Sequence, residues 1–140
     1  MFEGSLFVTG ALLGSMVFFA AIIAPLVFQV LEPEPAGAFL RRVFPRFYRF
    51  GVVVAVIASG LAASTDSTVS IILGLVALAF LLSDQILTPA INRARDASLT
   101  GDDGAQKKFD RLHKLSVRIF SLQALALIGC FVLLSQASQG

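Results

Sequence analysis

Few residues in this chain have side chains able to do chemistry, and they are unevenly placed. The 140 residues include one histidine (His113), one cysteine (Cys130) and no tryptophan. Asp84 is the only acid well inside an apolar stretch, where a charge is costly enough to mark either a specific ion pair or an ion pathway. Arg49, Gln85, His113, Arg118 and Gln123 are the polar residues that could share a site with it. His113 could carry a proton near neutrality, ligate a metal or haem, or hydrogen-bond within a packed interior. A single imidazole cannot fill both axial positions of a haem, which would therefore need two copies of the chain. Cys130 lies 17 residues from His113, about 25 Å along a helix, so the two cannot share a metal within one chain. There is no phosphate-binding glycine loop, no pair of catalytic carboxylates and no nucleophile–base arrangement. The residues read as those of a non-enzyme with no cofactor.

The elements that must position these side chains follow from composition. Hydrophobic residues make up 56% of the chain and charged residues 14%, where about 25% charged is usual for a soluble domain. A soluble chain of this length has too little interior to hide so much apolar surface. That balance excludes a disordered tail, a disulfide-stapled secreted module and a nucleic-acid binder. It predicts an all-α polytopic membrane protein: a single domain over 1–140 with a four-transmembrane-helix bundle.

The first uncharged run, Gly4 to Leu31, exceeds the roughly 20 residues that cross a bilayer core. It is too long, and lacks the preceding basic residue, to read as a cleaved signal peptide. Arg49 to Asn92 as one helix would be about 65 Å long, twice the core thickness. The polar cluster from Ser64 to Thr68 therefore marks a hairpin turn, with Asp66 or Ser67 capping the returning helix. The expected spans are about 5–31, 48–64, 68–91 and 112–134, with loops at 32–47 and 92–111.

Charge sets the orientation. All eleven Lys and Arg residues lie in or beside those two loops, and none lies near Met1, at Asp66 or in the C-terminal tail. Positive charge stays cytoplasmic, so both termini are expected outside and the loops inside, as in a bacterial inner-membrane protein. In the first loop, residues 36–44 predict a short interfacial helix with Phe39, Leu40, Val43 and Phe44 on its apolar face and Arg41 and Arg42 toward headgroups. In the second, Asp102 or Asp103 predicts an N-cap, so that helix four starts outside the membrane. Lys107, Arg111, Lys114 and Arg118 then form one basic stripe suited to anionic lipid headgroups. Phe109, Leu112, His113, Ser116, Phe120 and Gln123 occupy the other face.

Depth counting connects the hairpin to the chemistry. Arg49 precedes Asp66 by 17 residues and Asp84 follows it by 18, so antiparallel helices bring the two to one level. A structural Arg49–Asp84 pair is the first expectation, with Arg118 and His113 as alternative partners. Any polar cavity should open on the basic side, because Gln29, Asp84, Gln85, Thr88, His113, Ser116 and Gln123 all fall in that half, as do Pro25 and Pro89. Gly10 and Gly14 form a G-x-x-x-G pattern that allows close helix packing, within the bundle or between copies.

A family resemblance rests on the order of several short features. Phe19, Ala24-Pro25 and Phe28 end helix one; Ala36-Gly37, Phe44-Pro45 and Tyr48 follow; Leu87-Thr88-Pro89 ends helix three; and Phe109, Leu112, His113 and Ser116 open helix four. Together these resemble the transmembrane protein 205-like family, domain of unknown function 4149, over nearly the whole chain. The resemblance implies a fold similar to small four-helix membrane proteins of the copper-resistance D kind, some of which are linked to metals or haem. It also implies an association with metal-drug resistance and vesicle traffic in eukaryotic members, and importance for the His113 segment and the Pro25 and Pro45 corners.

The resulting functional expectation is a non-enzymatic protein working through self-association or as an accessory subunit of a membrane complex. The alternative is a small transporter for a cation, proton or metal, with Asp84 and His113 at its site.

Overall fold

A computed structural model describes residues 1–137 of the chain. Four long helices account for nearly all of it, and no strand occurs among the described residues. They are α1 (Phe2–Val30), α2 (Pro33–Ala62), α3 (Ser67–Leu99) and α4 (Asp103–Ala137), each long and apolar enough to cross a membrane. Helices consecutive in the chain pack side by side, and α4 returns against α1 to close a square.

Each turn has a local cause. Leu31 and Glu32 are extended (ψ 141° and 158°), as suits residues leading into Pro33, and a two-residue corner joins α1 to α2. Asp66 caps α3, its Oδ1 accepting from the Thr68 and Val69 amides at 2.9 and 3.1 Å. Asp102 begins α4 in the same way, accepting from the Ala105 amide at 3.2 Å. The tight reversal before it needs Gly101, whose φ of +93° strains any residue with a Cβ.

Two of the expected loops are largely helix. Residues 36–44 are helical, yet they form no separate interfacial element. They are the opening turns of a continuous α2 that runs through Pro45. The loop expected over 92–111 shrinks to a turn around Gly101, because α3 continues to Leu99 and α4 starts at Asp103. The membrane helices thus extend into a short helical hairpin on the basic side.

Proline leaves a different signature in the spans. A π-helical turn at Phe19–Ile23 precedes Pro25, and a second at Ser83–Leu87 precedes Pro89. Proline has no N–H and its ring crowds the carbonyl four residues back; a wider turn relieves that crowding without breaking the helix.

Packing is that of a protein whose solvent is lipid. Small side chains sit between helices, with Ala55, Ala58 and Ala62 of α2 fully buried against Val69 and Leu73 of α3. Large apolar side chains such as Phe7, Val53, Ile71, Leu75 and Leu122 point outward. In lipid, helices associate through close van der Waals contact and interhelical hydrogen bonds, which this arrangement supplies. Ser59 and Ser70 lock the α2–α3 hairpin reciprocally, each hydroxyl donating to the other's carbonyl at 2.8 and 2.9 Å. Ser5 joins α1 to the Ala58 carbonyl at 3.2 Å. Thr9 Oγ1, by contrast, is buried and has no hydrogen-bond partner among the described residues.

Candidate functional site: a cleft at the basic end

Aromatic rings fill the bundle axis toward its basic end. Phe47 of α2 stacks on Phe19 of α1 with centroids 4.8 Å apart, and also meets Phe80 of α3 and Phe120 of α4, each at 6.3 Å. One side chain therefore touches a ring from each of the other three helices. Phe80 lies so close to α2 that a Cβ on Gly51 would fall 2.9 Å from its ring, so glycine is required there for the helices to approach.

Beside this plug α2 and α3 are joined by an ion pair. Arg49 Nε donates to Asp84 Oδ2 at 3.0 Å, and Gln85 Nε2 donates to the same oxygen at 2.6 Å. The π turn carries Asp84 inward, leaving its side chain 2% exposed while that of Arg49 is 68% exposed. This is the pair anticipated from depth counting. Farther along the same two helices, beyond the span at 68–91, Arg41 grips Asp96 through both Nη atoms at 2.7 and 3.3 Å. That fork hydrogen bond holds the Asp96 carboxyl below its ordinary range against the opposing effect of desolvation, with smaller help from the Arg41 and Arg95 charges.

Past the aromatic plug a cleft of about 450 Å³ opens, walled by all four helices. Its inner wall is apolar: Phe19, Ala20, Ala24 and Phe28 from α1, Leu40, Phe44 and Tyr48 from α2, Ile91 from α3, and Val117 and Phe120 from α4. Its mouth carries Arg41, Thr88, Asn92, Arg95, His113 and Ser116. Phe109 lies between two of these, with the Arg95 guanidinium 5.7 Å from its centroid and the His113 ring parallel to it at 6.0 Å. Arg95 also rests against Gly37, where an added Cβ would stand 3.1 Å from Nη2.

The candidate residues thus separate into distinct places. His113 and Arg41 line the cleft, whereas Arg49, Asp84 and Gln85 form the ion-pair cluster outside its lining. Gln123 is buried deeper and donates to the Val76 carbonyl at 3.3 Å, stapling α4 to α3. Lys107, Arg111, Lys114 and Arg118 are all exposed on α4, as is Arg42 on α2. Gly10 packs within the bundle, against the Phe131 ring of α4, while Gly14 faces open space in a shallow groove beside Ser15, Phe18 and Val43. Cys130 is buried, and no cluster of potential metal ligands occurs among the described residues.

Sequence reasoning did not single out Arg95, Asn92 or Gly51. Arg95 was one of seven basic residues around the second loop, and only α3's continuation past the membrane turns it toward the cleft.

Fold and site together define an integral membrane protein: a four-helix bundle with a mixed apolar and basic cleft at one end. The family model for a domain of unknown function (DUF4149) matches residues 7–98, two-thirds of the chain, and the protein belongs to that family. The match covers α1, α2 and nearly all of α3, so it includes the ion pair and three of the four cleft walls. No curated protein and no solved structure matches the chain.

Proposed function

We propose that this is a non-catalytic binding protein of a bacterial inner membrane, holding a small guest in the cleft at its cytoplasmic end. The observation that carries the reading is the cleft's composition. A volume of about 450 Å³ falls within the 300–1,000 Å³ typical of ligand sites, and its apolar wall meets a few convergent polar groups. The orientation rests on the basic residues gathered at that end, with both termini outside. A membrane-impermeant maleimide should label Thr65→Cys from outside and leave Ser98→Cys unlabelled, both in a Cys130→Ala background. The binding reading is tested by native mass spectrometry from mild detergent. Wild type should retain a small-molecule adduct, and Ala24→Phe, which fills the cleft, should lose it without a change in melting temperature. Retention by Ala24→Phe, or an adduct-free wild type, would overturn the reading.

Association with a second copy or a membrane partner is the second reading. What supports it is Gly14, where an added Cβ would meet nothing within 4 Å and a side chain from another helix has room to enter. Gly14→Leu should then shift the protein's mass in nanodiscs from oligomer to monomer. Ion or proton transport through Asp84 draws less support, since Arg49 and Gln85 already occupy its carboxylate.

A further inference from the structure

The inner portion of α1 and the start of α4 both wall the cleft, but their backbones stand apart. The outer portions of these helices are packed together, as Gly10 and Phe131 show. From Phe19 to Val30, however, no α1 backbone lies within 8 Å, Cα to Cα, of α4. Separation begins at the π turn. Ala20 and Ala24 on one side face Val117 and Ser121 on the other across this gap. The cleft therefore has two openings: a polar mouth at the basic end, and a slot between α1 and α4 at the depth of the adjoining leaflet.

The polar mouth is short of acceptors. Among the described residues, no carboxylate lines the cleft, and Asp96, next in sequence to Arg95, is taken up by Arg41. The Arg95 guanidinium lines the cleft with no ion pair or hydrogen bond of its own among those residues; it rests on the Phe109 ring and Gly37, near enough to Asp96 to act on it only at a distance. Neither the Asn92 amide nor the His113 ring donates to or accepts from another described side chain. A guanidinium presents five donors in a planar fork whose best partner is a phosphate or carboxylate. Three donor groups with no protein acceptor, set beside an apolar channel that opens into lipid, suit one kind of guest.

We propose that the cleft takes a single-tailed amphiphile with a phosphate-type anionic head, admitted sideways from the leaflet through the slot between α1 and α4. The head meets Arg95, Asn92 and His113, and the tail lies along Phe28, Phe44 and Val117. This rests on the binding reading above and specifies the guest's chemistry.

Tyr48 provides the reporter. It is the only tyrosine in a chain without tryptophan, and it lies in the cleft wall. Its emission would be followed in phosphatidylcholine vesicles, which add no aromatic residue, titrated with oleoyl lysophosphatidate, oleoyl lysophosphatidylcholine or inorganic phosphate. Lysophosphatidate should bind about tenfold more tightly than the choline ester, as a charge-assisted hydrogen bond to the exposed phosphate warrants. Arg95→Gln should abolish that preference, Arg95→Lys should restore part of it, and His113→Gln should weaken it by a smaller factor. Ser121→Phe, which narrows the slot, should slow uptake more than it changes affinity. Equal affinity for the two lysolipids, or an Arg95→Gln protein that keeps the preference, would overturn the head-group assignment while leaving a binding cleft. Saturation by inorganic phosphate alone would show a site for the free anion and overturn the amphiphile. A reporter silent to every probe would overturn the binding reading as well. Should Arg95→Gln fail to fold, the two lysolipids on wild type and His113→Gln decide the matter.

Discussion

Two ion pairs tie α2 to α3, built from the same residue types and about two to three helical turns apart, yet their settings are opposite. Arg49–Asp84 has one member shut inside the bundle and a single contact through Nε. Arg41–Asp96 has a two-point fork of better geometry, with both side chains about half exposed. Geometry alone would rank the second pair higher. Environment reverses the order, because water replaces a lost partner at the surface and cannot do so at Asp84. Contact distance is thus a poor guide to importance here, and the accessibility of the acid is a better one.

The comparison can be broken at its strong end first. Arg49→Ala leaves a buried carboxylate with only Gln85, and should destabilise the bundle by on the order of 3 kcal/mol, read from denaturation in detergent. Adding Asp84→Leu should recover most of that loss, since two apolar residues leave no charge unpaired. Failure to recover would mean that the pair does more than neutralise itself. Gly51→Ala comes next. It drives a methyl into the Phe80 ring between the two paired helices, and should cost about 1–3 kcal/mol in the same measurement.

Thr9 sharpens the contrast from the other side, as a buried polar group without a partner among the described residues. Thr9→Val keeps the shape and removes the unmet hydroxyl, and should raise stability by about 1 kcal/mol. The smallest effect belongs to Asp96. Arg41 lowers its carboxyl pKa below the unfolded value, so its contribution is complete above the ordinary carboxylate range and is lost as pH falls through the lowered value. Asp96→Asn should therefore flatten a shallow acid-side slope in melting temperature and do little at neutral pH. Raised salt should mimic it.

The Arg49–Asp84 pair was legible in the sequence, because counting outward from Asp66 is a measurement of depth when both helices are straight enough to rise equally. The caps at Asp66 and Asp102 were legible for a related reason: capping is local chemistry, decided within three residues. The extent of α2 and α3 was not. Hydropathy marks where a helix leaves lipid, not where it stops, and residues 33–47 and 92–99 carry charge and are helical at once. Pro25 and Pro89 announced irregularity without saying that a π turn would absorb it. The cleft was half legible. Its end of the molecule followed from where the polar residues fall, while its largely apolar wall and the place of Arg95 arise from four helices meeting, which no single segment encodes. Gly51 gave no signal, because its neighbour in space is 29 residues away in sequence.

The π turn in α1 has a consequence for how this sequence should be compared with its relatives. Up to that turn the buried positions keep a steady beat of four and three, at Ser5, Thr9, Leu12, Met16 and Phe19. The same beat would next bring Ile23 and Leu26 inward, yet Leu26 is half exposed and Val27 is buried instead. The wide turn has spent one residue without advancing the face, so everything beyond it is read in a shifted frame. A relative with one residue fewer between Phe19 and Pro25 would carry the same inward face written one letter earlier. An alignment that refuses the gap would pair lipid-facing positions of one protein with cleft-facing positions of the other.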